Sequence, residues 1–283
     1  MLLENATVIS QSKLGKDYWL LKLLSPSITK EVKPGQFVHL RVPALAAGAL
    51  RRPFTIFKAE NNSITILYQS VGLGTQSMTL LQPDEKVSLL GPLGNGFPPL
   101  KKSGSFPVLI AGGYGIAALY LLAQSSPSQG IIFIGGKSAC DILCPEDFKQ
   151  LGWDVRIATE DGSLGTPGMV TGILDTWIRQ EAGDYQSELF ACGPDTMLKA
   201  IGECAKINGW TAWLCLERHM GCGIGACLGC AQKIYVHPST EKDRQAVKRD
   251  KNIKERNTSW RWARVCKEGP VFECREICWE DYE

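Results

Sequence analysis

The sequence predicts a small β-barrel, then a doubly wound α/β domain, then a short cysteine-rich module at the C-terminal end. Three features carry that prediction: closely spaced strand-like runs in residues 1–100, apolar strands alternating with helix-length segments over 101–210, and an irregular tail over 211–283.

In the first part, FVHLRV (37–42), FTIFKA (54–59) and SITILYQS (63–70) are rich in β-branched and aromatic residues, and Lys33-Pro34-Gly35 and Gly91-Pro92 punctuate the chain as turns. Strands that follow one another without helices favour a small barrel. In the second part, PVLIAGG, GIIFIGG, WDVRIATED and SELFACGP read as strands. Helices are expected through Leu121, near Gly172–Gln180 and through about Lys206, an alternation that implies a parallel sheet. The tail is too short for a core of its own and needs a metal site as its staple. Inside it, residues 239–256 (STEKDRQAVKRDKNIKER) are highly charged and almost free of large apolar groups, which reads as a solvated loop.

With 44% hydrophobic and 21% charged residues the composition is that of an ordinary globular protein, and a net charge of +2 gives no electrostatic case for nucleic acid. The start, MLLENATVISQSKLGKDYWL, lacks a signal-peptide pattern, and no apolar stretch reaches the roughly 18–20 residues of a membrane span. A cytoplasmic location is expected. Thiols stay reduced there, so the 11 cysteines point to metal ligation or redox chemistry rather than to disulfides.

The sharpest motif is Cys222-Gly-Ile-Gly-Ala-Cys227-Leu-Gly-Cys230, whose CxxxxCxxC spacing matches a plant-type [2Fe-2S] loop. Its glycines let the backbone wrap tightly and turn N–H groups toward sulfur. Structural zinc is the rival, but its cysteines usually come as two separate knuckles. A fourth thiolate is needed. Cys266, where an extended segment meets a Gly-Pro turn, is favoured over Cys274, Cys278 and Cys215.

Gly112, Gly113 and Gly115 in AGGYGIAALYLLA (111–123) follow an apolar strand and open a helix, so backbone N–H groups there can approach a pyrophosphate. The segment is not a GxGxxG fingerprint, and tight packing at a strand-to-helix corner is the plainer alternative. Arg51-Arg52-Pro53-Phe54-Thr55 offers a cation and a hydroxyl along one strand, suited to a diphosphate and a flavin edge. Gly72-Leu73-Gly74-Thr75 stands where a helix can begin. Cys192, in Ala191-Cys192-Gly193-Pro194, lies at the carboxyl end of a strand, where open α/β sheets bind ligands. His39, His219 and His237 show no ligand spacing and are assigned structural or surface roles, and Trp153, Trp177, Trp210 and Trp213 are assigned to core packing.

The order of motifs RPFT, LYQ, GT, GGYGIA, ACGPDTM, ERHMGCGIGACLGC and VCKEGPVF resembles the electron-transfer subunits of type B dihydroorotate dehydrogenases, within the ferredoxin-reductase superfamily. The resemblance spans nearly the whole chain, and the last two motifs are its specific part. It implies an FAD-binding barrel (1–100), an NAD-binding α/β domain (101–210) and a [2Fe-2S] module (211–283). FAD would be contacted by Arg52, Pro53, Phe54 and Thr55, by Leu67, Tyr68 and Gln69, and by Gly74 and Thr75. The segment from Gly112 would hold the nucleotide diphosphate. Cys192 would sit near nicotinamide and flavin, and Cys222, Cys227, Cys230 and Cys266 would ligate the cluster.

The implied partner is an FMN-containing catalytic subunit that oxidises dihydroorotate to orotate, in a heterotetramer with two copies of each chain. Electrons would cross the cluster singly to FAD and leave as hydride to NAD+, in the synthesis of UMP. Because flavin converts between single electrons and hydride, no general acid or base is required. Lys137 and Ser138 lie where an adenosine ribose can sit, and the cation there could tolerate a 2′-phosphate, but the resemblance favours NAD. Two rival readings stand beside this one. A flavin subunit of a ferredoxin:NADP oxidoreductase, hydrogenase or sulfur reductase complex shares the cofactors; a zinc- or flavin-containing binding module has no enzymatic role. Two features depart from the family pattern: a longer stretch between Cys230 and Cys266, and the additional Cys274 and Cys278.

Overall fold

The computed structural model describes residues 1–42, 50–100, 104–183, 185–236 and 259–279. The charged segment 239–256 and His237 lie outside the described residues.

Six antiparallel strands, β1 (Leu2–Lys13), β2 (Tyr18–Leu24), β3 (Phe37–Arg41), β4 (Arg52–Glu60), β5 (Ser63–Gln69) and β6 (Lys86–Leu93), close into a barrel in the order β1-β2-β5-β4-β3-β6. Alternation drives the closure: Leu21 and Leu23, Val38 and Leu40, Ile64 and Ile66, and Val87 and Leu89 all point into one core. The short helix α1 (Pro26–Glu31) buries Ile28 against this core. Its first N–H groups, on Ser27 and Ile28, donate to the Glu4 carboxylate at 3.1 Å and so are satisfied without a side-chain cap. A second short helix, α2 (Leu73–Met78), follows β5.

In the next part β7 (Phe106–Gly112), β8 (Ile131–Gly136), β9 (Asp154–Thr159), β10 (Thr166–Pro167), β11 (Ser187–Cys192) and β12 (Thr211–Cys215) form a parallel sheet in the order β10-β9-β8-β7-β11-β12. The continuous apolar runs of these strands have a simple cause, burial on both faces. Val108 and Ile110 face α5 (Val170–Gln180) and α6 (Asp195–Ile207), whereas Leu109 and Ala111 face the opposite layer, which includes Phe57 and Leu67 of the barrel. Two further short helices, α3 (Tyr120–Gln124) and α4 (Pro145–Gln150), complete that layer.

Strand β7 comes first in this part yet lies in the middle, with β8 on one side and β11 on the other. The chain reverses direction across the sheet there, so the loops leaving β7 and β11 diverge and open a crevice.

The helix expected directly after β7 begins instead as a 3₁₀ turn over Gly113–Ala118 and becomes α-helical only at Tyr120. Close packing is the reason. A Cβ on Gly115 would stand 2.3 Å from the carbonyl oxygen of Cys192, so this turn is pressed onto the end of β11.

The tail contributes an antiparallel pair, β13 (Ala231–Val236) and β14 (Ser259–Arg264). Its last strand, β15 (Val271–Glu273), adds antiparallel to β12 as the seventh strand of the large sheet. Cys230, Ile234, Val265 and Phe272 therefore share one core with Ile201 and Leu214. The barrel is tied in as well, through Asn95 Nδ2 donating to the Glu268 carbonyl at 3.1 Å. Among the described residues no helix is long and apolar enough to cross a membrane.

Candidate functional site

Two cavities meet in the crevice. The first, about 250 Å³, lies between barrel and sheet. Its barrel side consists of Pro53, Phe54 and Thr55 from β4, Leu67, Tyr68 and Gln69 from β5, and Thr75 from α2. Gly115, Cys192 and Cys215 line it from the sheet side. Strands β4 and β5 are paired as an antiparallel hairpin in the barrel, which is why their segments present one surface.

The Tyr68 hydroxyl is buried in this wall and has no hydrogen-bond partner among the described residues. Burial holds the phenol well above its ordinary pKa, so it is a neutral donor. Leaving such a group unsatisfied costs about 1–3 kcal/mol, so the wall fits a bound ring that supplies the missing partner. The edge of Phe54 stands against Tyr68 with centroids 5.9 Å apart, and the surrounding surface is apolar, as a planar heteroaromatic ligand requires. Thr75 closes its own loop: Oγ1 accepts from the N–H of Val71 at 2.9 Å and of Gly72 at 3.1 Å. Arg52 and Gly74 are not among the residues that line the cavity, and the Arg52 guanidinium donates to the Leu50 carbonyl at 2.9 Å.

Cys192 and Cys215 are register partners on β11 and β12 and lie side by side at the cavity floor. The hydrogen bond to Cys215, together with burial, holds the Cys192 thiol well above the ordinary thiol range, so it stays protonated. Cys215 thus lines the first cavity from β12.

The second cavity, about 760 Å³, is lined by Gly112, Gly113 and Gly115 on one side and by Gly193 and Thr196 at the start of α6 on the other. Gly113 has φ +53 and open space where a side chain would go, so its backbone is free to approach a ligand. Gly112 is different: an added Cβ would stand 2.8 Å from Pro194 Cδ. Farther out the lining includes Lys137 with the carboxylates of Asp141 and Glu160. Glycine backbone beside a helix start suits a diphosphate.

Gln69, Tyr114, Gly115 and Glu217 line both cavities. The Tyr114 hydroxyl donates to Glu217 Oε2 at 2.8 Å, and burial pushes the Glu217 carboxyl above its usual range. Neighbouring Arg218 pairs with Asp195 at 3.0 Å and donates from Nη2 to Gln232 at 2.7 Å. Neither Tyr114 nor Glu217 stands out as a site residue from sequence alone. Their signal was positional: one lies inside the glycine segment and the other opens the ERHM run that leads to the cysteine loop.

In that loop Gly223 (φ +70), Gly225 (φ +80) and Leu228 (φ +60) take left-handed conformations. The turns aim the N–H groups of Ala226 and Cys227 at Cys222 Sγ, at 3.3 and 3.4 Å. Burial opposes the thiolate, but these N–H groups and that of Ile224 bring the Cys222 pKa down to about 6. Cys230 Sγ accepts the N–H of Cys266 at 3.4 Å, and burial beside Cys230 pushes the Cys266 thiol up to about 12.

The thiols stand in two pairs, Cys222 with Cys227 and Cys230 with Cys266. Among the described residues no three Cys, His, Asp or Glu side chains are grouped to hold a single metal ion. Two pairs suit two irons with two thiolates each better than one tetrahedral zinc. Cys274 packs toward Gly202 of α6, and the Cys278 N–H donates to the Lys233 carbonyl in β13.

His39 is fully buried on β3, and neither ring nitrogen has a partner among the described residues. Burial, with Arg51 and Arg52 adding to it, lowers its pKa to about 4.

Comparison with known proteins bears on both halves of this site. Residues 217–247 match the iron–sulfur cluster binding domain of dihydroorotate dehydrogenase B. Over 280 residues the chain is 34% identical to the dihydroorotate dehydrogenase B (NAD(+)) electron transfer subunit of Bacillus cereus (strain Q1), covering 97% of this chain and 98% of that protein. The subunit of the same description from Bacillus anthracis (strain CDC 684 / NRRL 3495) matches with the same identity and coverage. Among solved structures, an NADH-dependent reduced ferredoxin-NADP oxidoreductase superposes with a TM-score of 0.78 at 24% identity, covering 98% of this chain and 90% of that one. The CS-b5R domains of human Ncb5or superpose with a TM-score of 0.62 at 20% identity over 74% of this chain and 67% of that one. The structural matches establish a ferredoxin-reductase-like fold.

Proposed function

Because this chain belongs to the family of dihydroorotate dehydrogenase B (NAD(+)) electron-transfer subunits, we propose that it relays electrons from a catalytic dihydroorotate dehydrogenase subunit through a [2Fe-2S] cluster and FAD to NAD+, in pyrimidine synthesis. The observation that carries this reading is the succession of three adjoining sites. Met220, two residues before Cys222, lines the first cavity, and Gln69, Tyr114, Gly115 and Glu217 connect that cavity with the second.

When bound, the flavin and the cluster supply the redox chemistry, hydride exchange with nicotinamide at one and single-electron transfer at the other. The residues supply orientation and dryness. Tyr68, Thr55 and Gln69 offer polar contacts to the flavin ring, and Pro53, Phe54 and Leu67 its apolar bed. Arg52, Gly74 and Thr75 serve the FAD diphosphate, and Gly112, Gly113 and Gly115 the diphosphate of NAD. Cys192, a protonated thiol at the floor of the first cavity, sits beside the place where the two rings meet and excludes water. Cys222, Cys227, Cys230 and Cys266 hold the cluster. The carboxylates of Asp141 and Glu160 repel a 2′-phosphate and outweigh Lys137, which supports NAD over NADP.

On this reading residues 1–100 form the FAD domain, 101–210 the NAD domain and 211–283 the cluster module. The partner carries FMN, the complex is a heterotetramer with two copies of each chain, and it works in the cytoplasm, where reducing conditions keep cluster thiols available. The test is anaerobic co-purification with a catalytic subunit, followed by visible absorption, electron paramagnetic resonance (EPR) and dihydroorotate-dependent NAD+ reduction. Flavin bands, a [2Fe-2S] signal and activity that needs both chains are expected. A colourless chain that binds stoichiometric zinc would overturn the proposal.

A further inference from the structure

His39 has surroundings that a purely structural histidine does not have. Its side chain is 0% exposed, and both Nδ1 and Nε2 lack partners among the described residues. A neutral imidazole carries one N–H and one lone pair, and an unsatisfied buried donor costs about 1–3 kcal/mol. The main chain of the same residue is well served, since Arg51 Nη1 donates to its carbonyl at 3.3 Å. The unmet requirement belongs to the ring alone.

What the ring touches narrows the choice of partner. On one side the Phe37 ring approaches edge-on at 5.9 Å, and Phe37 lines the first cavity. The cross-strand neighbours are Pro53 on β4 and Leu90 on β6, neither of which has a polar side-chain atom. On the other side lies the cysteine loop. A Cβ on Gly223 would stand 2.7 Å from His39 Cε1, 2.8 Å from Nδ1 and 2.9 Å from Cγ, so the residue after Cys222 is laid directly on the imidazole. The N–H groups of Ala226 and Cys227 are already aimed at Cys222 Sγ.

We propose that His39 is a positioning residue for the cluster, donating its ring N–H to a sulfur of the unit held by the Cys222 loop. The inference rests on reading Cys222, Cys227, Cys230 and Cys266 as the ligands. A hydrogen bond to sulfur offsets negative charge on the reduced cluster and raises its reduction potential. It also fixes the loop against the barrel, with Phe37 and the imidazole filling the space between loop and first cavity.

The chain has 3 histidines, so labelling histidine alone with ¹⁵N gives a sparse probe. The full chain, with its cluster reduced by dithionite, is examined by hyperfine sublevel correlation spectroscopy on the cluster EPR signal. A weak ¹⁵N coupling, typical of a ring nitrogen bonded through hydrogen, is expected. It is lost in His39→Leu and kept in His219→Gln, and the cluster midpoint potential falls in His39→Leu and is restored in part by His39→Asn or His39→Gln. A normal cluster signal without histidine ¹⁵N coupling overturns the inference while leaving the ligand reading intact. So does a strong coupling, which would make a histidine a ligand. No cluster signal in the unsubstituted chain overturns the ligand reading itself. The labelling result requires no variant to fold.

Discussion

The Tyr114 hydroxyl and the Glu217 carboxylate meet at 2.8 Å, across 103 positions of sequence, where the two cavities join. Tyr114 is carried by the glycine turn after β7, and Glu217 follows β12, so the hydrogen bond spans the crevice between the loops of one sheet. On the proposed function it stands between the nicotinamide and flavin sites, since both residues line the two cavities.

Glu217 has a folded-state pKa above its ordinary value because of burial, and the Tyr114 hydrogen bond acts in the opposite direction. The sign follows from linkage: the folded state binds the proton more tightly, so this group's stabilising contribution is present below the unfolded pKa of about 4.3 and is lost as pH rises through the folded pKa. Glu217→Gln should flatten that part of the Tm–pH profile, and Tyr114→Phe should steepen it. Thermal melts at intervals from pH 4 upward, compared among the three proteins, provide the check; indistinguishable profiles would rule out a raised Glu217.

Loss of a cluster ligand should separate the four proposed ligand thiols from the rest. Cys266→Ser is expected to abolish or alter the [2Fe-2S] EPR signal and lower iron content while leaving flavin bound. Cys274→Ser, Cys278→Ser and Cys215→Ser should keep the signal. A normal signal in Cys266→Ser would break the pairing with Cys230 on which the ligand set depends.

Two glycines of one turn should respond in different ways. Gly115→Ala puts a Cβ against the Cys192 carbonyl, an overpacking that costs about 1–3 kcal/mol and lowers Tm. Gly113→Ala meets open space and carries only the strain of a positive φ, about 1–2 kcal/mol. Its larger effect should be on NAD(H), with a Kd raised about tenfold or more, equivalent to about 1.4 kcal/mol. Calorimetric melts and nucleotide titrations distinguish the two; equal effects of both variants on Kd and Tm would contradict this division.

Nucleotide preference should depend on Glu160 more than on Asp141. Asp141 is occupied by the Tyr18 hydroxyl at 3.0 Å and the Ser138 N–H at 3.1 Å, whereas Glu160 lines the cavity near Lys137. Glu160→Gln is expected to narrow the ratio of kcat/KM for NADH over NADPH by about tenfold, or about 1.4 kcal/mol. An unchanged ratio would place the adenosine ribose elsewhere in the cavity.

Much of this molecule is written in short stretches of sequence. The apolar runs at 107–113, 130–136 and 187–192 become strands buried on both faces, because a parallel sheet covered by two layers needs such runs. The spacing Cys222, Cys227, Cys230 dictates a compact loop, because the glycines between them allow the left-handed turns that aim N–H groups at sulfur. Pro53 to Thr55 and Leu67 to Gln69 line a single cavity as neighbouring strands, and the glycine segment and Cys192 reach the carboxyl edge of the sheet.

What depends on partners distant in the chain was decided by the tertiary structure. Cys215 has no local feature that separates it from a cluster ligand; only the register of β12 against β11 sets it beside Cys192. The helix after β7 starts as a 3₁₀ turn because Gly115 has to fit against Cys192. His39 reads as an ordinary strand residue until closure of the barrel lays it under Gly223, and Tyr114 and Glu217 meet only when β7 and β12 share a sheet. Local periodicity and spacing specify elements and loops, because they act over a few residues. Burial, register and contact between elements belong to the assembled core, and they determine which of many cysteines, histidines and carboxylates face a site.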